Sequence, residues 1–461
     1  MDYGYFFGRI HRYRKKCWTR GTKMRWNRKE KYVYLITALL LSVLLVVGLL
    51  SLMSGIEIKE QKKAQPGGKS EEKGEKSENI SENIRVVIKT NGFRDMEHKE
   101  VILQNDNGLI LRYGNEMKEC AGGEKIAIAP DDSMFQKGTI VVESKKGGGK
   151  ITVDSLKRGY GIPSYRGKLE LYSTGKGLIL VNELPMEEYL YAVVPSEMPA
   201  SYSLEALKAQ AVCARSYAVK QMRDYAYPEY KAHVDDSVSF QVYGNSKEQE
   251  STIQAVNATV GEKVWHNNEV ATTYYFSTSC GRTTSAEAWG TKPSEANSYL
   301  KSAEIKGEDG AYEEELPWYW WKAKIPEKLL GELICKNTGK DIGNLKSVEV
   351  TKRGPGEVAL QIVATGEKGS VTVDTENKIR RALGGDGYRI EKNDGTIAES
   401  KELLPSAFFT IKKEKNEYIV DGGGYGHGIG MSQNGANEMA KEGKNYKQIL
   451  ETFYQEIEIK K

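Results

Sequence analysis

The chain has 461 residues, of which 28% are charged, and a formal net charge of +4 at pH 7. The charge is unevenly distributed, because residues 1–31 hold eleven Lys or Arg and two acidic residues, a net charge of +9 that leaves −5 for the rest of the chain. This acidic remainder lacks the basic face that nucleic-acid binding requires, so we exclude nucleic acid as a partner of the segment after residue 31.

An uncharged, largely apolar run over residues 32–54 follows the basic segment. At about 1.5 Å per residue, a helix of this length crosses the hydrocarbon core of a bilayer, so we predict a single transmembrane helix. The positive-inside bias predicts that the basic tail, residues 1–31, is cytoplasmic and that the C-terminal segment is extracytoplasmic at the cell membrane. A secretory signal peptide is the competing interpretation, but the apolar run is longer than a typical h-region and no small-residue cleavage site follows cleanly.

Residues 55–84 are rich in Glu, Lys, Ser, Gly and Gln and contain no aromatic residue, a composition that predicts a flexible linker. Residues 85–461 then form the predicted extracytoplasmic domain, which is long enough for a large core. Short apolar runs separated by Gly- and Asn-rich turns recur from residue 86 to residue 181 and predict short strands. We therefore expect an α+β fold, a mostly antiparallel β domain with one central Ala-rich helix.

Four of the five cysteines, Cys120, Cys213, Cys280 and Cys335, fall in the predicted extracytoplasmic domain, whereas Cys17 precedes the predicted membrane helix. Two disulfides and four free thiols are both compatible with this spacing. Cys213 lies in the Ala-rich segment and is most simply a small buried apolar residue.

A carboxylate, Glu197, stands between Pro195 and Pro199 just ahead of the Ala-rich segment. Proline fixes its own φ near −65° and disfavours the α region for the residue before it, here Val194 and Met198. We therefore predict a stiff turn that presents an acid. A pre-ordered acid is what catalysis by a single carboxylate needs.

The Ala-rich segment predicts a helix from the N-cap residue Ser203 to about Tyr225, with small side chains that let neighbouring elements pack closely. Helical spacing places the side chains at 210 and 217 on one stripe and those at 208 and 215 on another. For the two cations, an ordinary solvated face is an equally open interpretation. The candidate substrate-binding residues on this helix are Lys208, Gln210, Arg215 and Tyr217.

Residues 271–284 predict a strand that runs into a loop rich in hydroxyl groups, which contributes Ser277 and Ser279 as further candidate binding residues. Residues 292–316 are interpreted as an irregular acidic excursion. Antiparallel strands are predicted over residues 345–375 and 407–421, with a short helix over 376–383.

Residues 422–435 contain seven glycines and one histidine ahead of a helix predicted over 436–441. Glycine lets the backbone approach another group closely. The segment has no Gly-Lys-[Ser/Thr] sequence, which argues against a phosphate-binding loop. We interpret it as a rigid loop that brings His427, Ser432 and Gln433 to a cleft, although a structural histidine bound to the backbone explains His427 equally well.

Four segments of the chain together resemble the SpoIID/LytB family, and the resemblance runs in order from about residue 85 to the C-terminus. It implies a peptidoglycan lytic transglycosylase that cleaves bonds between MurNAc and GlcNAc in glycan strands stripped of stem peptides and leaves 1,6-anhydro-MurNAc ends. It also implies that Glu197 is the catalytic acid and that a peptidoglycan amidase is a partner. A sporulation role and vegetative wall remodelling both stay open. The segments are residues 182–199, 206–218, 276–283 and 424–436.

The chain departs from the family pattern at two places. Some members hold zinc through Cys and His residues after the helix, whereas this chain has Asp235, Ser239 and Phe240 there. Because a structural zinc site needs about four such ligands, we expect no metal and no cofactor. Phe276 also stands where many relatives carry a histidine.

A lytic transglycosylase needs one carboxyl group, whereas an ordinary glycosidase needs two, about 5–9.5 Å apart. Protonation of Glu197 near neutral pH is favoured by burial beside Met198 and opposed by the N-terminus of the following helix, and we expect burial to dominate. Nearby carboxylates that leave hydrolysis open are Glu183, Glu187, Glu188 and Glu205.

Two classes other than an enzyme also fit the sequence: a non-catalytic wall-binding or amidase-enhancing module, and a structural tether. Aromatic residues bear on this choice, because sugar faces stack on aromatic rings, although burial in the core is the commoner role of any one aromatic side chain. The candidate stacking residues are Tyr217, Tyr275 and Trp289.

Overall fold

The structure is a computed structural model that describes residues 83–308 and 310–461. The predicted cytoplasmic tail and the predicted transmembrane helix over 32–54 lie outside these residues, as does nearly all of the predicted linker. None of the helices in the described part is long and apolar enough to span a membrane.

The first strand begins at Asn83, two residues before the predicted start of the domain at residue 85, and Ile84 is fully buried in it. Residues 83 and 84, predicted as the end of the linker, belong to this strand. The described residues begin with this strand, which pairs along its whole length with another strand of the same sheet, Leu178–Pro185.

Strands dominate the N-terminal half. A seven-stranded sheet in the order β11-β1-β10-β9-β6-β3-β4 is antiparallel except where β1 pairs with β11, and a four-stranded sheet has the order β5-β2-β7-β8. Apolar side chains alternate along most of these strands, and those on one face pack into the main core, whereas β1 and β10 also bury apolar side chains on the other face in a small separate cluster. The strands are β1 (Asn83–Ile88), β2 (Val101–Gln104), β3 (Leu109–Tyr113), β4 (Glu116–Cys120), β5 (Ile126–Ile128), β6 (Ile140–Ser144), β7 (Ile151–Val153), β8 (Ser164–Tyr165), β9 (Lys168–Ser173), β10 (Leu178–Pro185) and β11 (Val234–Asp235).

The Ala-rich helix occupies the centre of this half, as predicted. It begins after the N-cap residue Ser203 and contacts four other helices, α1, α3, α6 and α7, because its buried alanines let them approach closely. The helices of the described residues are α1 (Met186–Glu197), α2 (Leu204–Gln221), α3 (Glu250–Ala258), α4 (Glu327–Thr338), α5 (Glu376–Leu383), α6 (Gln433–Lys441) and α7 (Tyr446–Phe453).

Residues 318–423 contribute a second hydrophobic core. Its five-stranded sheet has the order β20-β19-β15-β22-β21, and its three-stranded sheet has the order β16-β17-β18. The predicted antiparallel strands are confirmed here, as is the helix α5. The remaining strands are β12 (Lys263–His266), β13 (Glu269–Val270), β14 (Tyr275–Phe276), β15 (Trp320–Pro326), β16 (Leu345–Arg353), β17 (Ala359–Gly366), β18 (Gly369–Asp374), β19 (Arg389–Lys392), β20 (Ile397–Glu399), β21 (Phe409–Glu414), β22 (Glu417–Gly423), β23 (Met431–Ser432) and β24 (Glu458–Lys460).

The fold is thus α+β with mostly antiparallel sheets. One parallel pair matters for the site: β14 and β23 pair at Tyr275 with Met431 and at Phe276 with Ser432, which fixes the glycine-rich segment beside the hydroxyl-rich loop. Cys213 is fully buried, as predicted. The four cysteines of the described residues are all free.

Candidate active site

The candidate catalytic acid ends a helix. Glu197 is the last residue of α1, and Pro195 lies inside that helix. The prediction that Val194 leaves the α region is therefore wrong, because burial of this last turn against the core outweighs the backbone hydrogen bond that proline cannot donate. Met198 is extended, with φ −129° and ψ 138°, which confirms the prediction that Pro199 keeps Met198 out of the α region.

Glu197 sits at a helix C-terminus rather than on a turn ahead of α2. The C-terminal end of a helix carries a partial negative charge, which disfavours an ionised carboxylate. The expected opposition from a helix N-terminus is thus reversed in sign, and the helix to which Glu197 belongs favours its protonated form.

Glu197 lines a cavity of about 370 Å³. The cavity is mostly aromatic and hydroxylic, and Glu197 is the only carboxylate among the described residues that form its wall. Ser239 and Phe240, two positions where zinc ligands are absent from the sequence, also belong to this wall. The other lining residues are Tyr217, Val238, Gln241, Val242, Thr273, Tyr274, Tyr275, Trp289 and His427.

Burial raises the pKa of Glu197 to about 7, against hydrogen bonds that favour the carboxylate. The backbone N–H of Val242 donates to Oε1 at 2.6 Å, and the hydroxyl of Tyr275 also hydrogen-bonds the carboxyl group. The side-chain amide of Gln241 donates to that hydroxyl at 3.1 Å and so orients it. Near neutral pH the acid therefore exists in both protonation states, as a group that gives and then takes back a proton must.

Aromatic rings form a continuous chain along the cavity. Tyr217 and Tyr274 have ring centroids 6.2 Å apart, and Tyr274 meets Trp289 edge-to-face at 4.7 Å. Trp289 lies 5.0 Å from the ring of His427, which in turn lies 5.6 Å from Phe276. The three candidate stacking residues, Tyr217, Tyr275 and Trp289, all line the cavity.

His427 uses both ring nitrogens on the backbone. Its Nδ1 accepts from the N–H of Ile429 at 3.1 Å, so its Nε2 carries the hydrogen and donates to the carbonyl oxygen of Tyr275 at 3.0 Å. Burial lowers the pKa of His427 to about 3, with the positive charge of Arg380 as a smaller cause. His427 is therefore neutral and holds the glycine-rich segment against β14, and of the two interpretations left open by the sequence this geometry favours the structural one.

Gln433 connects the glycine-rich segment to the acid. Its Nε2 donates to the backbone carbonyl oxygen of Glu197 at 3.0 Å and to Oε1 of Gln210 at 3.3 Å. Gln210 is fully buried and, like Gln433, is not among the residues that line the cavity. These two glutamines lie behind the acid and support its backbone.

Ser279 and Ser432 do not line the cavity. Both donate hydrogen bonds to a buried acid that sequence reasoning missed. Glu313 accepts the backbone N–H of Ser279 at 2.9 Å, the hydroxyl of Ser432 at 2.7 Å and the hydroxyl of Ser279. Burial raises the pKa of Glu313 to about 7 despite these donors. It is the first of three glutamates, residues 313–315, in the stretch interpreted as an irregular excursion, and nothing in that pattern distinguishes it from its neighbours.

Ser277 contributes through its backbone. Its carbonyl oxygen accepts the N–H of Asn434 at 2.9 Å, and its hydroxyl pairs with that of Thr278 at 3.2 Å. Ser277, Ser279 and Ser432 are thus brought together, but at the joint between the hydroxyl-rich loop and α6 rather than on the cavity wall.

Arg215 and Lys208 lie away from the cavity. The guanidinium of Arg215 is almost fully buried, pairs with Glu187 at 2.6 Å and donates to the carbonyl oxygen of Glu262 at 3.0 Å. Lys208 pairs with Glu205 at 2.7 Å on the same helix. Neither cation is presented to a ligand in the cavity, because each is held by an acidic partner.

The four carboxylates that could supply the second acid of a hydrolase also lie away from the cavity. Glu187 and Glu205 are paired with the cations of α2, and Glu183 is paired with Arg85. Neither these three nor Glu188 is among the residues that line the cavity.

Asp235, at a position where zinc ligands are absent, is held by neighbouring hydrogen-bond donors. Asp235 accepts hydrogen bonds from the hydroxyl of Tyr227 and from the backbone and hydroxyl of Ser237. Over residues 83–308 and 310–461, the structure has no cluster of three or more His, Cys, Asp or Glu side chains suited to a metal ion. The absence of a metal cofactor stays a prediction.

Comparison with known proteins relates these residues to a family. Residues 174–266 match the family described as "Stage II sporulation protein" (SpoIID), and residues 262–430 match a domain of unknown function (DUF8618). Glu197 lies in the first match, whereas Tyr275, Trp289 and His427 lie in the second. The cavity is therefore formed by both matched regions.

Three proteins illustrate the similarity. The chain is 33% identical over 309 residues to an uncharacterized protein of Brachyspira hyodysenteriae, covering 64% of this chain and 72% of that protein. It is 33% identical over 296 residues to the stage II sporulation protein D of Bacillus subtilis, covering 60% of this chain and 75% of that protein. It is 29% identical over 291 residues to the amidase enhancer of Bacillus subtilis, covering 58% of this chain and 39% of that protein.

Proposed function

Because this chain belongs to the SpoIID family, we propose that it acts on the bacterial cell wall as a peptidoglycan lytic transglycosylase. The observation that carries the proposal is one carboxyl group, Glu197, with a pKa near 7 in an aromatic cavity that has no second carboxylate among its described lining residues. The substrate is a glycan strand stripped of its stem peptides. Similarity to stage II sporulation protein D supports a role in sporulation.

The chemistry uses Glu197 twice. In its protonated form it donates the proton to the glycosidic oxygen while the bond from that oxygen to C1 of MurNAc breaks, so GlcNAc leaves with a free hydroxyl. The carboxylate then accepts the proton of the MurNAc C6 hydroxyl, whose oxygen attacks C1 and closes the 1,6-anhydro ring. No water is consumed, and the acid is protonated again for the next cycle.

The surroundings of Glu197 support both steps. Burial raises the pKa of the acid to about 7, so that a large fraction is protonated near neutral pH, whereas the Val242 N–H and the Tyr275 hydroxyl stabilise the carboxylate that forms after the first transfer. A hydrolase with two carboxylates is disfavoured, because the other candidate acids lie away from the cavity.

The test compares Glu197→Gln with Glu188→Gln in the full-length chain, on peptide-stripped glycan strands. Glutamine keeps the shape of the acid but has no proton to donate, so release of 1,6-anhydro-MurNAc ends should fall by about 10²–10⁴ or more. Binding should change little. Glu188 belongs to the same helix and is absent from the cavity wall, so Glu188→Gln should retain activity. Near wild-type product release by Glu197→Gln would refute the single-acid mechanism.

Similarity to the amidase enhancer supports a second candidate, a non-catalytic module that binds the wall and assists an amidase. This candidate predicts that purified protein releases no anhydro products. It also predicts that any stimulation of a peptidoglycan amidase is the same for the wild type and for Glu197→Gln. Anhydro products that depend on Glu197 would exclude it as the sole function.

We further propose that residues 32–54 anchor the chain in the cell membrane, with the basic tail cytoplasmic. Support comes from the uncharged run and the net charge of +9 that precedes it. Protease added to intact protoplasts should digest the segment after residue 56 and spare the tail. Protection of the C-terminal domain would reverse the proposed orientation.

A further inference from the structure

A second, larger cavity of about 590 Å³ lies on the second core. Its wall includes residues of β15 and β22 together with Arg282, which belongs to the hydroxyl-rich loop, and Arg353, which ends β16. It shares no lining residue with the cavity of Glu197.

An exposed tryptophan forms a platform in this second cavity. Trp320 is 47% exposed, although indole rings are normally buried. It pairs across the sheet with Gly423, where a Cβ atom would come within 3.0 Å of the indole Cε3. The glycine therefore lets the ring lie close over the neighbouring backbone, and the edge contact with Tyr319 at 5.3 Å fixes it there. A large exposed aromatic surface held in this way suits the apolar face of a sugar ring.

Two arginines beside this platform are held by backbone carbonyl oxygens. Nε of Arg282 donates to the carbonyl oxygen of Gly356 at 2.7 Å, and Arg353 donates to the carbonyl oxygens of Glu357 and Phe409 at 2.8 and 2.9 Å. Among the described residues neither forms an ion pair. Neutral carbonyls thus orient both guanidinium groups without an ion-pair partner, which is the state suited to a carboxylate ligand.

The remaining charges of the cavity leave a positive balance. Lys322 is paired with Asp421 at 3.1 Å, and Lys392 adds one more cation whose ammonium lies 5.4 Å from the ring of Trp318. Two carboxylates, Glu357 and Glu391, also line the wall. The lining thus has four basic and three acidic side chains. It favours a sugar with a single negative charge over a highly charged polymer.

We propose that this cavity binds a muramic acid unit of the same glycan strand through its lactyl carboxylate, which is free only after the stem peptide has been removed. This inference rests on the proposed function. The ring of the sugar packs on Trp320, and Arg282 and Arg353 bind the carboxylate. The cavity thereby distinguishes stripped strands from strands that carry stem peptides, because a stem peptide converts this carboxylate into a neutral amide.

The chain connects the two cavities closely enough for one strand to occupy both. Gly422 lines the second cavity and His427 lines the first, so their Cα atoms are at most about 18 Å apart at 3.3–3.6 Å per residue. A glycan of several sugars covers that distance. Recognition at the second cavity and cleavage at Glu197 are therefore compatible with one bound strand.

The test measures equilibrium binding by the full-length chain carrying Glu197→Gln, which prevents turnover. Two probes are compared: peptide-stripped glycan strands, and the same strands with the lactyl carboxylates converted to methylamides. The carboxylate strands should bind about tenfold more tightly, the effect of a hydrogen bond to a charged group. Adding Arg282→Gln and Arg353→Gln should remove this difference, and raising the salt concentration should reduce it.

Two further variants separate the role of the tryptophan from that of the arginines. Trp320→Ala should weaken binding of both probes by the same factor, because the indole contacts the sugar and not the carboxylate. Arg389→Gln is the matched control, since Arg389 is on the same sheet, is paired with Glu399 and does not line the cavity. It should leave the preference for carboxylate strands intact.

Equal binding of both probes by the parent protein would overturn the proposal without any variant, and so would a preference that survives loss of both arginines. The result is independent of catalysis. A chain that discriminates the probes but releases no anhydro products would refute the lytic activity and retain this site. A chain that cleaves both kinds of strand equally well and binds them equally would do the reverse.

Discussion

The side-chain amide of Gln433 donates a hydrogen bond to the backbone carbonyl oxygen of Glu197, with 3.0 Å between Nε2 and O. The last carbonyls of a helix have no partner within it, so this contact satisfies one of them at the end of α1. It links the glycine-rich segment to a residue 236 positions earlier in the chain. The position of the acid therefore depends on the C-terminal part of the domain.

Gln433→Ala should lower kcat by about 10–100-fold, because loss of this contact lets the end of α1 move relative to the substrate. The free energy of unfolding should fall by only about 1 kcal/mol, the usual value of one hydrogen bond. Gln448→Ala is the control, since Gln448 makes a comparable capping contact at the start of α7, away from the cavity. An unchanged kcat for Gln433→Ala would show that the contact does not position the acid.

The pH dependence of kcat/KM should follow the protonation of Glu197. The acid must be protonated when the strand binds, and its pKa is about 7, so kcat/KM should be constant below that pH and fall about tenfold per unit above it. The measurement is the rate of anhydro-product release between pH 5 and 9. A profile that is flat across this range would exclude Glu197 as the general acid.

The sequence predicted the local features of this site and missed those that depend on tertiary contacts. The Ala-rich helix and α5 follow from local composition and periodicity, and the cavity contains both Glu197 and Tyr217 as expected. Residues 186–197 were missed as a helix because the two prolines suggest a turn, whereas burial keeps Pro195 in the last helical turn. Arg215 was an open candidate because its partner Glu187 is 28 positions away, beyond any local pattern.

Stability should fall as the pH rises from about 4.5 to 7, in part because of Glu313. Its pKa is about 7 in the folded chain and near 4.5 when exposed, so the folded state retains a proton that the unfolded state releases in this window. More protons bound in the folded state means that stability decreases with pH. The contribution is about 3 kcal/mol, complete at low pH and lost by about pH 7.

Glu313→Gln should remove this contribution, because an amide can still accept from Ser279 and Ser432 but does not titrate. The free energy of unfolding, measured by denaturant titration at pH 5 and pH 8, should differ less between the two pH values in the variant than in the wild type. The pH profile of activity should be unchanged, since Glu313 does not line the cavity. An equal pH dependence of stability in both proteins would show that Glu313 is not the group that retains this proton in the folded state.

Arg215→Met should destabilise the fold by about 3–5 kcal/mol, because it leaves Glu187 without the partner that holds it in a partly buried position. Lys208→Met removes a more exposed pair with Glu205 and should cost at most about 1 kcal/mol. Thermal unfolding of both variants checks this contrast. If Lys208→Met or a folded Arg215→Met instead weakened glycan binding selectively, a substrate-binding role for that cation would be supported.

His427→Gln distinguishes a structural histidine from a catalytic one. A glutamine amide offers one acceptor and one donor, so it can replace the two backbone contacts of His427, to Ile429 and to Tyr275. Since the pKa of His427 is lowered to about 3, the imidazole is neutral at every pH used for assay and contributes nothing to the profile of kcat/KM. His427→Gln should therefore keep the same pH dependence as the wild type, with a modest loss of stability of about 1–3 kcal/mol if one contact is imperfect.

His427→Ala, which removes both contacts, should lose more stability and serves as the comparison. A shift of the pH profile in the well-folded glutamine variant would mean that the imidazole exchanges a proton with the substrate, and Glu197 would no longer be the only group that does so.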